Sequence, residues 1–366
     1  MNDSFATNPL FERVERARRR KHKIRETHIT LAHGSGGRAM HDLVEGLFLE
    51  YFRNPLLENL EDQAVFEVNG AKRMAFTTDS YVVDPIFFPG GDIGELAIHG
   101  TVNDLAMSGA RPLYLSAGFI LEEGFPIEDL RRICASMQKA AEEAGVQIVT
   151  GDTKVVQKGG ADKIFINTAG IGVIETQANI SSSRAQPGDK VIVSGTIGDH
   201  GTTIMIERGE LELETDIESD SAALHLLVAD IIDEAKKRGT IDDVHCLRDP
   251  TRGGVATTLN EIAMSSEVSI EIREDLIPVR ENVKGACEIL GLDPLYVANE
   301  GKLVAIVAGE IAESVVDRMR LNPHGAGACI IGKIKAEPQG IVSMTTGFGG
   351  TRIVDMLAGD QLPRIC

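Results

Sequence analysis

Apolar residues recur at helical spacing over residues 39–52, where Met40, Leu43, Val44, Leu47 and Phe48 make one stripe. The stripe begins directly behind the glycine-rich stretch HGSGG at 33–37, so the pattern predicts a loop followed by a helix. Downstream, residues 73–77, 113–119, 146–149 and 164–173 carry the short apolar runs of strands. Helical patterns at 93–108 and 127–144 lie between them. A cluster of Ser, Pro, Gly and Asp at 181–189, SSSRAQPGD, separates two apolar strands and is the best domain boundary. The second half repeats the theme: a strand at 191–194, a glycine turn in GTIGDHG, helices near 224–237 and 255–264, and strands near 269–272 and 303–307.

The expected fold class is therefore α+β, in two α/β domains. The expected divisions are a basic N-terminal extension over residues 1–28, a first domain over 29–180 and a second over 189–346. Residues 347–366 read as a flexible tail, because GFGG at 347–350 offers a hinge and the closing GDQLPRIC has neither period. Two domains agree with a length of 366 residues, more than one core usually organises.

Composition narrows the function. The formal net charge is −18, and residues 1–28 hold eight Lys/Arg against four Asp/Glu, which leaves about −22 on the rest. With no Trp and few aromatic residues, such a chain lacks both the charge and the stacking platforms of a nucleic-acid binder. No window approaches a membrane span, and residues 1–30 lack the apolar core of a secretory signal, so a cytoplasmic protein is expected. The five cysteines, at 134, 246, 287, 329 and 366, form no CxxC pair and argue against a zinc site or a disulfide framework. Four sit among apolar neighbours; Cys366 is the last residue of the sequence.

Glycine-rich loops that open onto helices let backbone N–H groups approach phosphate oxygens. HGSGG is one, offering Gly34, Ser35, Gly36 and Gly37, although the same stretch also serves as an ordinary turn. RDPTRGG at 248–254 is a second, offering Thr251, Arg252, Gly253 and Gly254. A triphosphate arriving with Mg²⁺ needs carboxylate oxygens near that cradle. Asp79 in TTDS, Asp104 beside Asn103 in VNDLAMSGARP, Asp152 beside Thr153 in TGDTK, and Asp249 in RDPTRGG are the candidates. Each alone could be a cap or turn residue; their joint appearance is what points to metal and nucleotide.

These stretches occur in a fixed order: AHGSGG at 32–37, TTDSYVVDPIFFPGGDIG at 77–94, GTVNDLAMSGARP at 100–112, TGDTKVV at 150–156, SGTIGDHG at 194–201, RDPTRGGV at 248–255, ANEGKL at 298–303 and PRIC at 363–366. The set resembles the HypE family of carbamoyl dehydratases along nearly the whole chain from residue 29. That family lies within the ATP-binding superfamily of aminoimidazole ribonucleotide synthetase, thiamine-phosphate kinase and selenophosphate synthetase. The resemblance implies a homodimer in which the N-terminal sheets pair into a barrel-like composite. It also implies a self-modifying reaction. The carbamoyltransferase HypF loads a carbamoyl group onto Cys366, ATP and Mg²⁺ drive its dehydration to a thiocyanate, and the cyanide passes to iron on a complex of HypC and HypD for nickel-iron hydrogenase. Glu300 would be the general base, and Lys154 would hold charge on the phosphate or amide oxygen. Asn103 and Thr153 would join the two glycine loops around the nucleotide. A small-molecule phosphotransferase on the same scaffold is the main alternative. A selenophosphate synthetase, however, would carry its reactive cysteine in the first glycine loop, where this chain has Ser35 and Arg38.

Overall fold

The computed structural model describes residues 27–68, 72–209, 215–357 and 364–366, so the expected basic extension lies almost wholly outside the described residues. Behind the glycine loop, helix α1 starts at Arg38–Leu43 and runs on through a π-helical turn, Val44–Phe48, to Leu49–Phe52. The N-terminal sheet uses β1 (Ala64–Val68) and β2 (Lys72–Tyr81). A small hairpin, β3 (Phe87–Phe88) with β4 (Gly91–Asp92), leads into helix α2 (Ile93–Met107). Then come β5 (Arg111–Glu122), helix α3 (Ile127–Ala144), β6 (Gln147–Val156) and β7 (Ile164–Ile174). The sheet order is β1-β2-β7-β5-β6, antiparallel except for β5 with β6.

Period-two alternation gives this sheet two unlike faces. Leu115, Ala117, Ile166 and Thr168 are buried against the helices, whereas Phe76, Tyr114 and Ile120 point to the open side. The edge strand β6 is exposed along its length except at Val156, which is half-buried. Within one chain the sheet is open, with β1 and β6 as its edges.

Helix α2 shows why the two halves pack together. Asp92 caps it, accepting from the N–H groups of Gly94 at 2.8 Å and Glu95 at 3.1 Å, and the helix is apolar on nearly every side. A helix of that kind has to be covered all round. Its upper part joins the first core with Ile98 and Val102, while Ala106 and Met107 enter a core of the second half beside Leu224 and Leu227.

The second half comprises β8 (Lys190–Val193), α4 (Asp199–Glu207), α5 (His225–Arg238), β9 (Val244–Arg248), α6 (Gly254–Ser265), β10 (Ser269–Arg273), α7 (Glu281–Leu290), β11 (Val304–Val307), α8 (Ala312–Met319), β12 (Cys329–Lys335), β13 (Ile341–Thr345) and β14 (Thr351–Val354). Its seven strands run β14-β13-β10-β12-β8-β11-β9. The strand β14 corrects the sequence reading, which placed a flexible tail from residue 347. Val354 is buried and the strand is zipped antiparallel onto β13, because an apolar residue here extends the core that β13 began. Residues 358–363 of that expected tail lie outside the described residues. The expected boundary at 181–189 is not a loose linker: Ser181 Oγ at 2.6 Å, and the N–H and Oγ of Ser182 at 2.8 and 2.9 Å, all donate to the Glu61 carboxylate.

Candidate active site

The two glycine loops meet in space. Gly36 adopts φ 76°, and a Cβ there would lie 2.6 Å from the carbonyl oxygen of Arg252, so only glycine lets the loops close on each other. Arg252 in turn donates to the carbonyl of Gly34 at 3.2 Å. They wall a cavity of about 370 Å³ lined by residues from both halves, among them Asp79, Asp104, Asp249, Thr251, Glu300 and Cys366.

Carboxylates dominate one wall. One oxygen each of Asp62, Asp104 and Asp249 can be chosen so that all lie within 4.8 Å of one another. Burial pushes the Asp104 carboxyl well above the ordinary range, and the charges of Asp249, Asp62 and Asp79 push it further. Asp62 is raised likewise, chiefly by burial, even though Arg248 lies 2.6 Å away. Asp249 is pushed up to about 6 by burial, against the pull of Arg248. Crowded oxygens that share too little positive charge are the donor set a hard divalent cation takes, so these residues fit Mg²⁺.

Arg248 is the buried counter-charge. It contacts Asp62, Glu261 at 2.8 Å and Glu61 at 4.0 Å. Burial alone would discharge it, but those carboxylates raise its pKa further and hold it cationic. His41 from α1 donates to Glu261 at 2.9 Å and closes the network.

The same cavity carries the thiol. Cys366 is 7% exposed, and burial pushes it up to about 12; Arg252 opposes this, while the charges of Glu300 and Asp79 add to it. Glu300 is 3% exposed, and burial followed by the charges of Asp79, Asp220 and Asp249 raises it well above the carboxylate range. Its Oε1 has no hydrogen-bond partner among the described residues. Its backbone is fixed: the Glu300 N–H donates to Asp220 at 3.0 Å, and Asn103 Nδ2 donates to the Glu300 carbonyl at 3.3 Å. The glycine of ANEGKL follows from the same contact, since a Cβ at Gly301 would fall 1.7 Å from the carbonyl oxygen of Asp220.

Gly36, Asp79, Asp104, Asp249, Thr251, Arg252, Glu300 and Cys366 thus come together as the sequence reading expected. Gly34, Gly37 and Gly254 do not line the cavity. Ser35 and Gly253 line a smaller recess with Leu357 and Ile365, and Ser35 Oγ donates to the Ala32 carbonyl. Asn103 needs correction as a nucleotide contact. It is 1% exposed, and its amide is committed to Ala222, Leu224 and Glu300, which makes it a brace for the base. Asp152, Thr153 and Lys154 are absent from the cavity of their own chain. They lie on β6, three strands from Asp79 through β7 and β5, or about 14 Å at ~4.8 Å per strand. Asp152 and Lys154 instead pair with each other at 3.0 Å in solvent. Asp62, Arg248 and Glu261 were missed; Asp62 lay in an acidic run, ENLEDQ, just ahead of a strand, the same acid-beside-a-turn signal that marked the others.

Fold and site together define a two-domain protein of the AIR synthase-related class. The model of the AIR synthase related protein N-terminal domain matches residues 60–174, and that of its C-terminal domain matches 186–345. A thiamine monophosphate kinase from Aquifex aeolicus shares the fold at 21% identity with a TM-score of 0.60. Within the class the likeness is much closer to one branch. The carbamoyl dehydratase HypE of Azotobacter vinelandii is 54% identical, covering 94% of this chain and 98% of the relative; that of Escherichia coli is 48% identical over 92% and 99%. A crystal structure of hydrogenase maturation protein HypE in complex with ATP superposes with a TM-score of 0.76 at 53% identity, covering 93% of this chain and all of that one. A HypE–HypF complex gives 0.80 at 48% identity, covering 86% and 99%. The chain belongs to the HypE family of carbamoyl dehydratases.

Proposed function

We propose that this chain dehydrates a carbamoyl group carried on Cys366 to a thiocyanate at the expense of ATP. The observation that carries the reading is the position of Cys366, in one cavity with Glu300, Arg252 and the aspartate cluster. The amide oxygen of the thiocarbamate is a poor leaving group. Its attack on the γ-phosphorus releases ADP and the first nitrogen proton. Loss of the second nitrogen proton to Glu300 then lets the carbon–nitrogen triple bond form as phosphate departs. Arg252, which faces both the thiol and Asp79, stabilises negative charge on the transferring group. Asp62, Asp104 and Asp249, with Asp79 beside them, would hold Mg²⁺, which supplies charge neutralisation on the phosphates.

The proposal extends to partners. A HypF-type carbamoyltransferase loads the thiol, and HypC with HypD accepts the cyanide for the iron of nickel-iron hydrogenase, in the cytoplasm. Among the described residues no helix is long and apolar enough to cross a membrane. Two copies of the chain pair through the open face and β6 edge of the N-terminal sheet, closing it into a barrel-like composite. Exposed Ile148, Val149 and Val155 support this, since a bare apolar edge strand needs a cover. Across that boundary Lys154 and Asp152 would serve the partner's cavity, which they cannot reach in their own.

The test is mass spectrometry of the C-terminal peptide after incubation with the carbamoyltransferase, carbamoyl phosphate and ATP. A gain of about 43 Da, followed by an ATP-dependent loss of about 18 Da, is expected from the atoms added and the water removed. Any adduct formed by a Cys366→Ala protein would overturn the reading.

A further inference from the structure

Residues 364–366 are held by more than the cavity they enter. The Val82 N–H donates to the backbone oxygen of Cys366 at 2.9 Å, and the Asp84 N–H donates to Arg364 O at 3.3 Å. The pairs 82 with 366 and 84 with 364 run antiparallel, so the segment lies alongside residues 82–84 just beyond β2, with Arg364 in a left-handed turn at φ 52°. These two bonds hold Cys366 in the cavity that Glu300 also lines.

Two side chains of the other domain fasten this segment by its carbonyls. Arg208, at the end of α4, donates through Nε to Asp84 O at 2.6 Å and through a terminal nitrogen to Arg364 O, so one guanidinium clamps both paired chains. His200, in the first turn of the same helix, is fully buried and bonds Ile365 O at 2.7 Å through Nε2. A carbonyl only accepts, so Nε2 carries the proton, and Nδ1 accepts from Ser219 Oγ at 2.8 Å. Phe88 packs edge-on against the ring at 5.7 Å, fixing its plane. Arg364 anchors its own end to Val82 O at 2.9 Å and to Asp162.

We infer that Arg208 and His200 are positioning residues, a latch on the main chain of residues 364–366 that sets the fraction of molecules whose Cys366 is docked against the carboxylates. The inference rests on the reading of Cys366 as the carrier. A docked thiol, 7% exposed, is closed to a second protein, so loading requires release and dehydration requires docking. The latch sets the balance between them. Because it reads carbonyls rather than the side chain at 366, it holds bare and loaded cysteine alike.

The experiment follows iodoacetamide labelling of Cys366 in the native full-length protein, with exposed Cys134 as internal reference and buried Cys246 as a monitor of unfolding. Arg208→Met removes hydrogen bonds from a charged donor, and a rise of roughly 10- to 100-fold in Cys366 labelling is expected. His200→Leu should raise it by a smaller factor, and Arg208→Lys, which keeps the charge but cannot fork, should fall between. Dehydration of preloaded adduct should slow in the same order, with loading by the carbamoyltransferase unimpaired and ATP binding unchanged. Wild-type Cys366 labelling in both Arg208→Met and His200→Leu, with Cys134 normal, would overturn the latch. If Arg208→Met also exposes Cys246, the Arg208→Lys protein decides by the same criterion. Labelling needs no carbamoyl chemistry, so a rise in labelling without adduct chemistry would sink the functional reading and leave the latch standing.

Discussion

Replacing Asp249 with Asn separates what this carboxylate costs the fold from what it does for the site. Its pKa in the folded protein is about 6, against an ordinary 3.8, with burial as the main cause. Below pH 3.8 the group is protonated in both folded and unfolded chains, so its stabilising contribution is fully present. Between 3.8 and 6 only the unfolded chain gives up its proton, so stability falls with rising pH, and above 6 the loss is complete. A difference of 2.2 units, 6 less 3.8, corresponds to about 3 kcal/mol at ~1.4 kcal/mol per unit. Asn keeps the shape and does not ionise. In metal-free buffer at pH 8 the Asp249→Asn protein should therefore be more stable than wild type by up to about 3 kcal/mol, some 6–12 °C for a domain of this size. At pH 4 the two should nearly coincide. Magnesium should close most of this gap, because a ligand at ~100 times its Kd stabilises wild type by about 2.7 kcal/mol and the variant lacks one carboxylate of its site. Thermal unfolding at the two pH values, with and without Mg²⁺, measures all four states. A variant less stable than wild type at pH 8 without metal, or one with an undiminished magnesium shift, would refute the reasoning.

Glu300→Gln should accept the carbamoyl group at the wild-type rate and dehydrate it about 10²- to 10⁴-fold more slowly, as read by following both adducts on the C-terminal peptide; a normal rate of thiocyanate formation would remove Glu300 as the base. Asp62→Asn should raise the magnesium concentration needed for half-maximal ATP turnover at least tenfold, and an unchanged requirement would leave Asp104 and Asp249 to hold the metal without it. Lys154→Ala and Glu300→Gln proteins, each inactive alone, should regain about a quarter of wild-type activity when unfolded together and refolded as an equal mixture, since half the dimers are mixed and each then has one intact site of two. No recovery would place Lys154 in its own subunit's site or outside catalysis.

What the sequence disclosed, and what it hid, divides along physical lines. Glycines and acids beside turns are local signals, and they located Gly36, Asp79, Asp104 and Asp249 because tight backbone approach and charge leave a mark at a single position, whereas Glu300 came only from the family resemblance. The strand at Thr351–Val354 was hidden because four residues carry too little period to outweigh the neighbouring GFGG; its partner β13 supplies the order. Asn103 was misread for the opposite reason. A polar residue on a nearly apolar helix looks like a ligand, yet its amide satisfies buried carbonyls of Ala222 and Glu300 that no local pattern reveals. Lys154 and Asp152 mark another limit, since strand order, which sets β6 three places from the strand of Asp79, is not written in any local pattern.

The charge arrangement also says why base and metal ligands are built into one cavity. Asp62, Asp79, Asp104, Asp249 and Glu300 face a cavity whose two arginines are partly spoken for, Arg248 by Asp62, Glu61 and Glu261, and Arg252 by Asp79 and the thiol. Like charges at this spacing favour the protonated form, and burial with the charges of Asp79, Asp220 and Asp249 raises the Glu300 carboxyl well above the ordinary range. Under the proposed function it acts as a base once the neighbouring negative charge is neutralised, which a divalent cation among the aspartates would supply. A triphosphate alone would add to the repulsion and keep Glu300 protonated. On the proposed function, then, dehydration of a docked, loaded Cys366 should depend on the cation through Glu300 as well as through the phosphates.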